Sequence, residues 1–154
     1  MELTQTMIRL ATINDLQAVA ELFNQYRQFY QQAHDVALAK VFISARLSKQ
    51  DSVIFVAENS DKKIIGFCQI YPSFCSVIAA KIGVLYDLYV NESTRKIGAG
   101  RALMLAAHEY AAHNGMARLD LTTAKDNLKA QALYESLGWV RDEVFYAYSK
   151  EITR

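Results

Sequence analysis

"RKIGAGRALM", residues 95–104, opens with two basic residues, sets one alanine between two glycines and runs on into apolar positions. Glycines in this arrangement let backbone come close to something. Upstream lies "VLYDLYV" (84–90), β-branched and aromatic, which reads as a strand. Downstream, "ALMLAAHEYAAH" (102–113) puts Leu103, Ala106, Ala107, Tyr110 and Ala111 on one helical face, with Asn114-Gly115 as a stop. Strand, glycine loop and helix in succession leave first-turn amides with partial positive charge, to which Arg95, Lys96 and Arg101 add full charges. That combination suits a pyrophosphate. A nucleotide P-loop would need Gly-x-x-x-x-Gly-Lys-Ser/Thr, which the chain lacks. A dinucleotide fingerprint would need glycine where Leu103 stands, and "NESTR" separates strand from loop. A loop whose glycines only permit a tight turn is the plainer alternative.

The flanking sequence extends the alternation of strands and helices. "MIRL" (7–10) is a short opening strand, and Thr12 and Asp15 of "TIND" form a capping-box pattern. Leu16, Val19, Phe23, Tyr26 and Tyr30 recur at helical spacing, predicting a first helix to about Tyr30; "VALAKVFISARL" (36–47) predicts a second. "VIFVAE" (53–58) and "IIGFCQIY" (64–71) read as a hairpin around "NSDKK". After the glycine segment come a strand "RLDLTT" (118–123), a helix "LKAQALYESL" (128–137) ended by Gly138, and a closing strand "EVFYAYSK" (143–150). The order β-α-α-β-β-β-α-β-α-β predicts an α/β (α+β) fold, a mixed sheet with helices packed on it.

Bulk properties narrow the classes. At 154 residues and 52% hydrophobic, the chain suits a single domain spanning 1–154. A net charge of +1 provides no overall field for nucleic acid or an anionic membrane. No apolar run approaches the roughly 20 residues of a bilayer span, and "MELTQTMIRL" lacks the pattern of a secretory signal; a cytoplasmic protein is expected. Cys68 and Cys75 suit neither a disulfide framework nor a zinc site, and His34, His108 and His113 lack ligand spacing, so no metal is expected.

"RKIGAG" resembles the Arg/Gln-x-x-Gly-x-Gly/Ala signature of the GNAT-type N-acetyltransferase superfamily. "DNLKAQALYESLGW" (126–139) resembles that superfamily's second motif, and "IRLATINDL" its usual opening. The likeness spans nearly the whole chain in the right order. It implies a GNAT fold, with six to seven strands and about four helices, and acetyl-CoA as cosubstrate. The loop Arg95, Lys96, Ile97, Gly98, Ala99, Gly100, continuing into Arg101 and Ala102, would hold the pyrophosphate. Leu88, Tyr89 and Val90, at a bulge where the strand splays, would pair with the pantetheine arm as an added strand. Asn127 would hydrogen-bond the pantetheine, and Tyr134 would sit near the thioester sulfur.

Direct transfer to a primary amine gives these residue types a purpose. A lysine-like amine, with a pKa of about 10.4, must lose a proton before it attacks. Asp87 is the candidate base on the strand, Glu58 a second on the hairpin, and a water relay a third possibility. A backbone N–H at Leu88–Val90 would serve the oxyanion, and the Tyr134 phenol would protonate the departing sulfur. Tyr134 as core packing and Asn127 as a helix N-cap are the competing readings. In the superfamily the acceptor enters between the first helices and the sheet. Tyr26 and Tyr30, with Tyr71 and Phe74 leaving the strand in "CQIYPSFCS", are therefore candidates to line its mouth, or else core. The acceptor class stays open between small amines or polyamines and lysine side chains. A catalytically silent acyl-CoA-binding sensor is the alternative function. The closing strand carries apolar or aromatic groups on both faces, which predicts a homodimer joined there.

Overall fold

In a computed structural model the structure describes residues 6–94 and 97–153, so Arg95 and Lys96 of the predicted cradle lie outside the described residues. The described chain divides into two compact units, with the boundary in sequence between Thr122 and Thr123.

The first unit is built on a sheet of five strands in the order β1-β2-β3-β4-β5. They are β1 (Met7–Leu10), β2 (Val53–Glu58), β3 (Ile64–Cys75), β4 (Ala80–Val90) and β5 (Leu119–Asp120). The first four pair antiparallel, and β5 runs parallel to β4 through Gly83↔Leu119 and Val84↔Asp120 only. Three helices belong to this unit: α1 (Leu16–Phe29), α2 (Val36–Lys49) and α3 (Ala99–His113). Among the described residues the sheet therefore has five strands rather than the six to seven implied by resemblance.

Alternation along the strands divides the core between two faces. Ile54, Val56, Phe67 and Tyr89 pack with Val19, Leu22, Phe23, Ala39 and Ile43 of α1 and α2. Cys68, one residue from Phe67, turns the other way and brings its thiol to the Leu103 carbonyl of α3 at 3.9 Å. Its complete burial, which pushes the thiol up to about 12, makes Cys68 a packing residue. Gly83 lets this face close: an added Cβ would meet Leu119, Ile70 and Met116 at 2.7–2.9 Å.

The capping box forms as its sequence demands. The Thr12 hydroxyl accepts from the Asn14 N–H, and Asp15 accepts from the Thr12 N–H at 2.8 Å, opening a 3-10 turn (Ile13–Asp15) that leads into α1. Asn24 fixes the link to α2, accepting from the Asp35 N–H at 2.9 Å, while Asp35 caps α2 by accepting from the Leu38 N–H. The second helix runs on to Lys49, two residues past its predicted end, where Gln50 turns left-handed at φ 50°.

Four strand predictions differ from the observed elements, one of them β4, which begins at Ala80 rather than Val84. Strand β3 continues to Cys75, so Tyr71–Phe74 stay in the sheet, paired to Val84–Lys81. The strand expected over 118–123 shortens to Leu119–Asp120, because its ladder with β4 covers two positions. Residues 143–150 form no strand at all. Asp142 accepts from the Val144 and Phe145 amides at 3.0 and 3.2 Å, diverting them into a local turn. Apolar alternation supplies a face, but a strand also needs a partner for its backbone.

The second unit, described by itself, holds α4 (Leu128–Ser136). Asn127 caps it by accepting from the Ala130 N–H at 3.3 Å, and Gly138 and Trp139 close its end on the Glu135 and Tyr134 carbonyls. Among the described residues no helix is long and apolar enough to cross a membrane.

The Arg9 guanidinium ties β1, β2 and the start of α1 together. It meets both Asp15 oxygens at 2.8 and 2.9 Å and Glu58 Oε2 at 2.9 Å. The Arg9 hydrogen bonds hold the Asp15 carboxyl below its ordinary range against the opposing cost of burial, with the Thr12 N–H helping. A depressed carboxylate stabilises the fold fully above its unfolded value, near pH 4, and loses that contribution as pH falls through its folded value. Asp15→Asn is therefore expected to cost about 1–3 kcal/mol at pH 7 through the lost cap and ion pair. Urea denaturation at pH 7 and pH 3 checks this: the gap between wild type and variant should shrink at the lower pH.

Candidate active site

The centre of the candidate site is a defect in the β3–β4 ladder. Gln69 pairs with Asp87, but the next β3 residue, Ile70, pairs with Leu85, so Tyr86 is an extra residue on β4. Such a bulge bends a strand and re-aims its side chains. The bulge expected at Leu88–Val90 thus lies two residues earlier, at Tyr86. Leu88, Tyr89 and Val90 keep regular register with Cys68, Phe67 and Gly66, beyond the two-residue ladder with β5.

Beside the bulge, Asp87 is only 2% exposed. Its Oδ2 accepts from the Gln69 side-chain amide at 2.6 Å. Burial raises the Asp87 carboxyl above its ordinary value, while the Gln69 amide and the Tyr26 hydroxyl pull it back. Among the described residues no cation pairs with Asp87. A buried carboxylate in that condition is equipped to take a proton or to receive a cation.

Phenols gather around it. The Tyr26 hydroxyl from α1 donates to the Tyr86 carbonyl at 3.0 Å, and the Tyr26 and Tyr30 rings meet edge to face at 5.1 Å. Tyr71 on β3 meets Tyr86 at 5.6 Å. Burial first, and then the nearby Asp87 charge, push the Tyr26, Tyr30 and Tyr71 phenols upward, so all three stay neutral at physiological pH. Three of the four aromatic candidates thus lie around Asp87. Phe74 stands apart, 77% exposed and opposite Lys81 near the hairpin tip. Glu58, the second candidate base, is engaged with Arg9 far along the sheet.

Helix α3 begins three residues earlier than its sequence pattern predicts, so the glycine loop supplies its first turn. Gly98 is the N-cap, left-handed at φ 83°, and nothing lies within 4 Å of where its Cβ would stand. An open helix start whose first amides are those of Ala99 and Gly100 fits a diphosphate. Ile97 is partly exposed before it, and Arg101 and Ala102 complete the turn.

Asn127 and Tyr134 lie in the second unit. Asn127 performs the N-cap role, and Tyr134 on α4 packs at 6.3 Å from Trp139.

Two side chains of this constellation escaped sequence reasoning: Gln69, and Ser52, whose hydroxyl donates to Gln69 Oε1 at 2.7 Å. A signal existed for the first. Gln69 is the one strongly polar side chain in the run "IIGFCQIY", an expensive choice unless it answers another buried polar group. Nothing in the sequence pointed to Ser52.

Comparison with known proteins places this geometry in a family. The profile of the "Acetyltransferase (GNAT) family" matches residues 16–139. The chain is 46% identical over 141 residues to YhfO, an uncharacterized N-acetyltransferase of Bacillus subtilis (strain 168), covering 92% of this chain and 94% of that one. A crystal structure of a probable acetyltransferase superposes with a TM-score of 0.89 at 34% identity, over 96% of this chain and 99% of the other. The fold is also shared with the aminoglycoside N-acetyltransferase AAC(6')-Iy in complex with CoA, at TM-score 0.81 and 19% identity, over 97% of each chain. The chain is an acetyltransferase and belongs to the GNAT family.

Proposed function

We propose that the protein transfers an acetyl group from acetyl-CoA directly to a primary amine that arrives as a cation. The observation that carries this reading is Asp87, a buried carboxylate with no cationic partner among the described residues and phenols around it. An ammonium group would neutralise Asp87, and tyrosine faces favour cations as well. Burial lifts the proton affinity of Asp87 toward that of a useful base. Tyr26, Tyr30 and Tyr71 line the acceptor side in this reading, and Phe74 contacts only a longer acceptor. The amine is small or a polyamine, or it is a lysine side chain; the near-neutral chain offers no field for a strongly basic protein tail.

Acetyl-CoA supplies an activated acyl group and a thiolate leaving group. The cradle for its pyrophosphate is Arg95 to Ala102, with the Gly98 turn giving the phosphate oxygens access to the helix amides. Leu88, Tyr89 and Val90 run beside the pantetheine arm, and Asn127 reaches it in addition to capping α4. Tyr134, whose phenol carries an O–H donor, protonates the departing sulfur. The residues 1–154 act as one catalytic domain in the cytoplasm.

The decisive experiment is a CoA-release assay across polyamines, amino acids, aminoglycosides and lysine peptides. Release with a cationic amine supports the proposal, whereas tight acetyl-CoA binding without release from any acceptor would return the sensor reading. Tyr134→Phe is expected to lower kcat roughly 10²–10⁴-fold with little change in acetyl-CoA affinity; full activity would make Tyr134 a packing residue. Gly98→Val is expected to abolish CoA binding, since a β-branched side chain resists φ 83° and would obstruct the approach to the helix start. Calorimetric titration of the folded variant with CoA checks it.

The chain is further proposed to form a homodimer through residues 143–150. Val144, Phe145, Tyr146 and Tyr148 are between 78% and 93% exposed in the single chain, and a second copy would cover them. Sedimentation equilibrium at micromolar concentration should give twice the chain mass; a clean single-chain species would exclude the dimer.

A further inference from the structure

We propose that Gln69, backed by a hydrogen bond from Ser52, is a positioning residue that holds the Asp87 carboxylate beside the bulge. The proposal rests on the reading of Asp87 as the acceptor-side carboxylate, and its test separates the two.

The geometry is a three-member chain. Ser52 Oγ donates to Gln69 Oε1 at 2.7 Å, and Gln69 Nε2 donates to Asp87 Oδ2 at 2.6 Å. Gln69 is completely buried, and the ladder sets it directly opposite Asp87 at the last regular pair before the shift. A carboxamide has two faces, and a buried one turns toward whatever each face can bond. With its carbonyl accepting from the Ser52 hydroxyl, Gln69 presents N–H to Asp87, and each of the two bonds polarises the other. An N–H donor stabilises the carboxylate and offers nothing to the proton of the neutral acid. Rotation by half a turn would set the amide oxygen against the carboxylate, which the Asp87 charge opposes.

The groups around Asp87 leave this task to few candidates. From α1, Tyr26 helps hold the charge, and Tyr30 feels it; from β3, Tyr71 and the buried Cys68 feel it as well. On β4 itself the neighbour is Tyr86, whose ring meets Tyr71. Arg46 of α2 acts on Tyr71 and is bonded to Asp51 at 2.7 Å. The Asp87 charge is therefore sustained by neutral donors, and Gln69 is the strongest of them. An apolar residue at position 69 would pack at lower cost. Glutamine here serves the carboxylate.

The test uses the full chain and the variants Gln69→Met, Ser52→Ala and Ser52→Thr. The first readout is the Asp87 carboxyl carbon followed by NMR across pH, which needs no substrate. Removing the donor destabilises the charged form, so Asp87 should titrate about one to two pH units higher in Gln69→Met, the size of one charge-assisted hydrogen bond. Ser52→Ala should raise it by less, and Ser52→Thr, which keeps the hydroxyl, should restore it. The second readout is kcat/KM against pH with the most active amine of the CoA-release panel. Its acidic limb should move to higher pH with the carboxyl. An unmoved Asp87 titration in folded Gln69→Met overturns the proposal. If that variant does not fold, an unmoved titration in Ser52→Ala overturns it. A titration that moves while the acidic limb stays upholds the hold of Gln69 on Asp87 and removes Asp87 as the base.

Discussion

The pairing of β3 with β4 is the constraint on which the rest of the first unit depends. It is the longest ladder in the sheet, running from Gly66↔Val90 to Cys75↔Ala80, and it is interrupted once. The side-chain period of a strand is two, so one extra residue exchanges the faces of everything beyond it. With Tyr86 as the extra residue, Ile70 faces Leu85 instead of Tyr86, and Ile70, Leu85 and Asp87 are all buried while Tyr86 is exposed. The same bulge presents the Tyr86 carbonyl to the Tyr26 hydroxyl, which ties α1 to the site by a hydrogen bond as well as by apolar packing. A local irregularity thereby coordinates sheet, helix and carboxylate.

The two buried acids of this unit show how neighbours decide what a carboxylate does. Asp15 meets a bidentate guanidinium and two donors from Thr12, and its charge is spent on joining β1, β2 and the turn into α1. Asp87 meets an amide and phenols, which tolerate its charge without cancelling it. One acid is pulled below its ordinary range and the other is lifted above it. The fold thus binds one carboxylate into an ion pair and leaves the other in tension with its surroundings.

Elements whose signals are local were legible in the sequence. The Thr12–Asp15 box, the spacing of Val19 and Phe23, and the β-branched run of β2 each carry their instruction within a few residues, and the corresponding elements formed. The glycine segment was legible as a helix start, although the helix takes up Ala99–Arg101, which pattern reading had left in the loop. What escaped was relational. The extra residue at Tyr86 exists only as a difference between two strands, and neither strand's sequence records it. Residues 143–150 carried a clear alternation without the partner that would make it a strand. Asp87 was singled out from its residue type, but its hydrogen bond with Gln69, and that of Gln69 with Ser52, needed the fold to bring together positions 18 and 17 residues apart.

The long β3–β4 hairpin has a consequence for solubility. Strand β2 ends at Val53 opposite Ile70, so β3 from Tyr71 onward runs past its neighbour and has a sheet edge on that side. Edges of this kind are templates on which another chain can add a strand. The sole proline of the sequence, Pro72, falls on this overhang, paired across to Gly83. Proline has no N–H to offer and holds a fixed φ, so a docking strand would lack a donor at the position where its ladder would have to begin. The overhang can therefore carry Phe74 out into solvent without recruiting foreign backbone. Its protection is covalent, and neither salt nor pH can remove it.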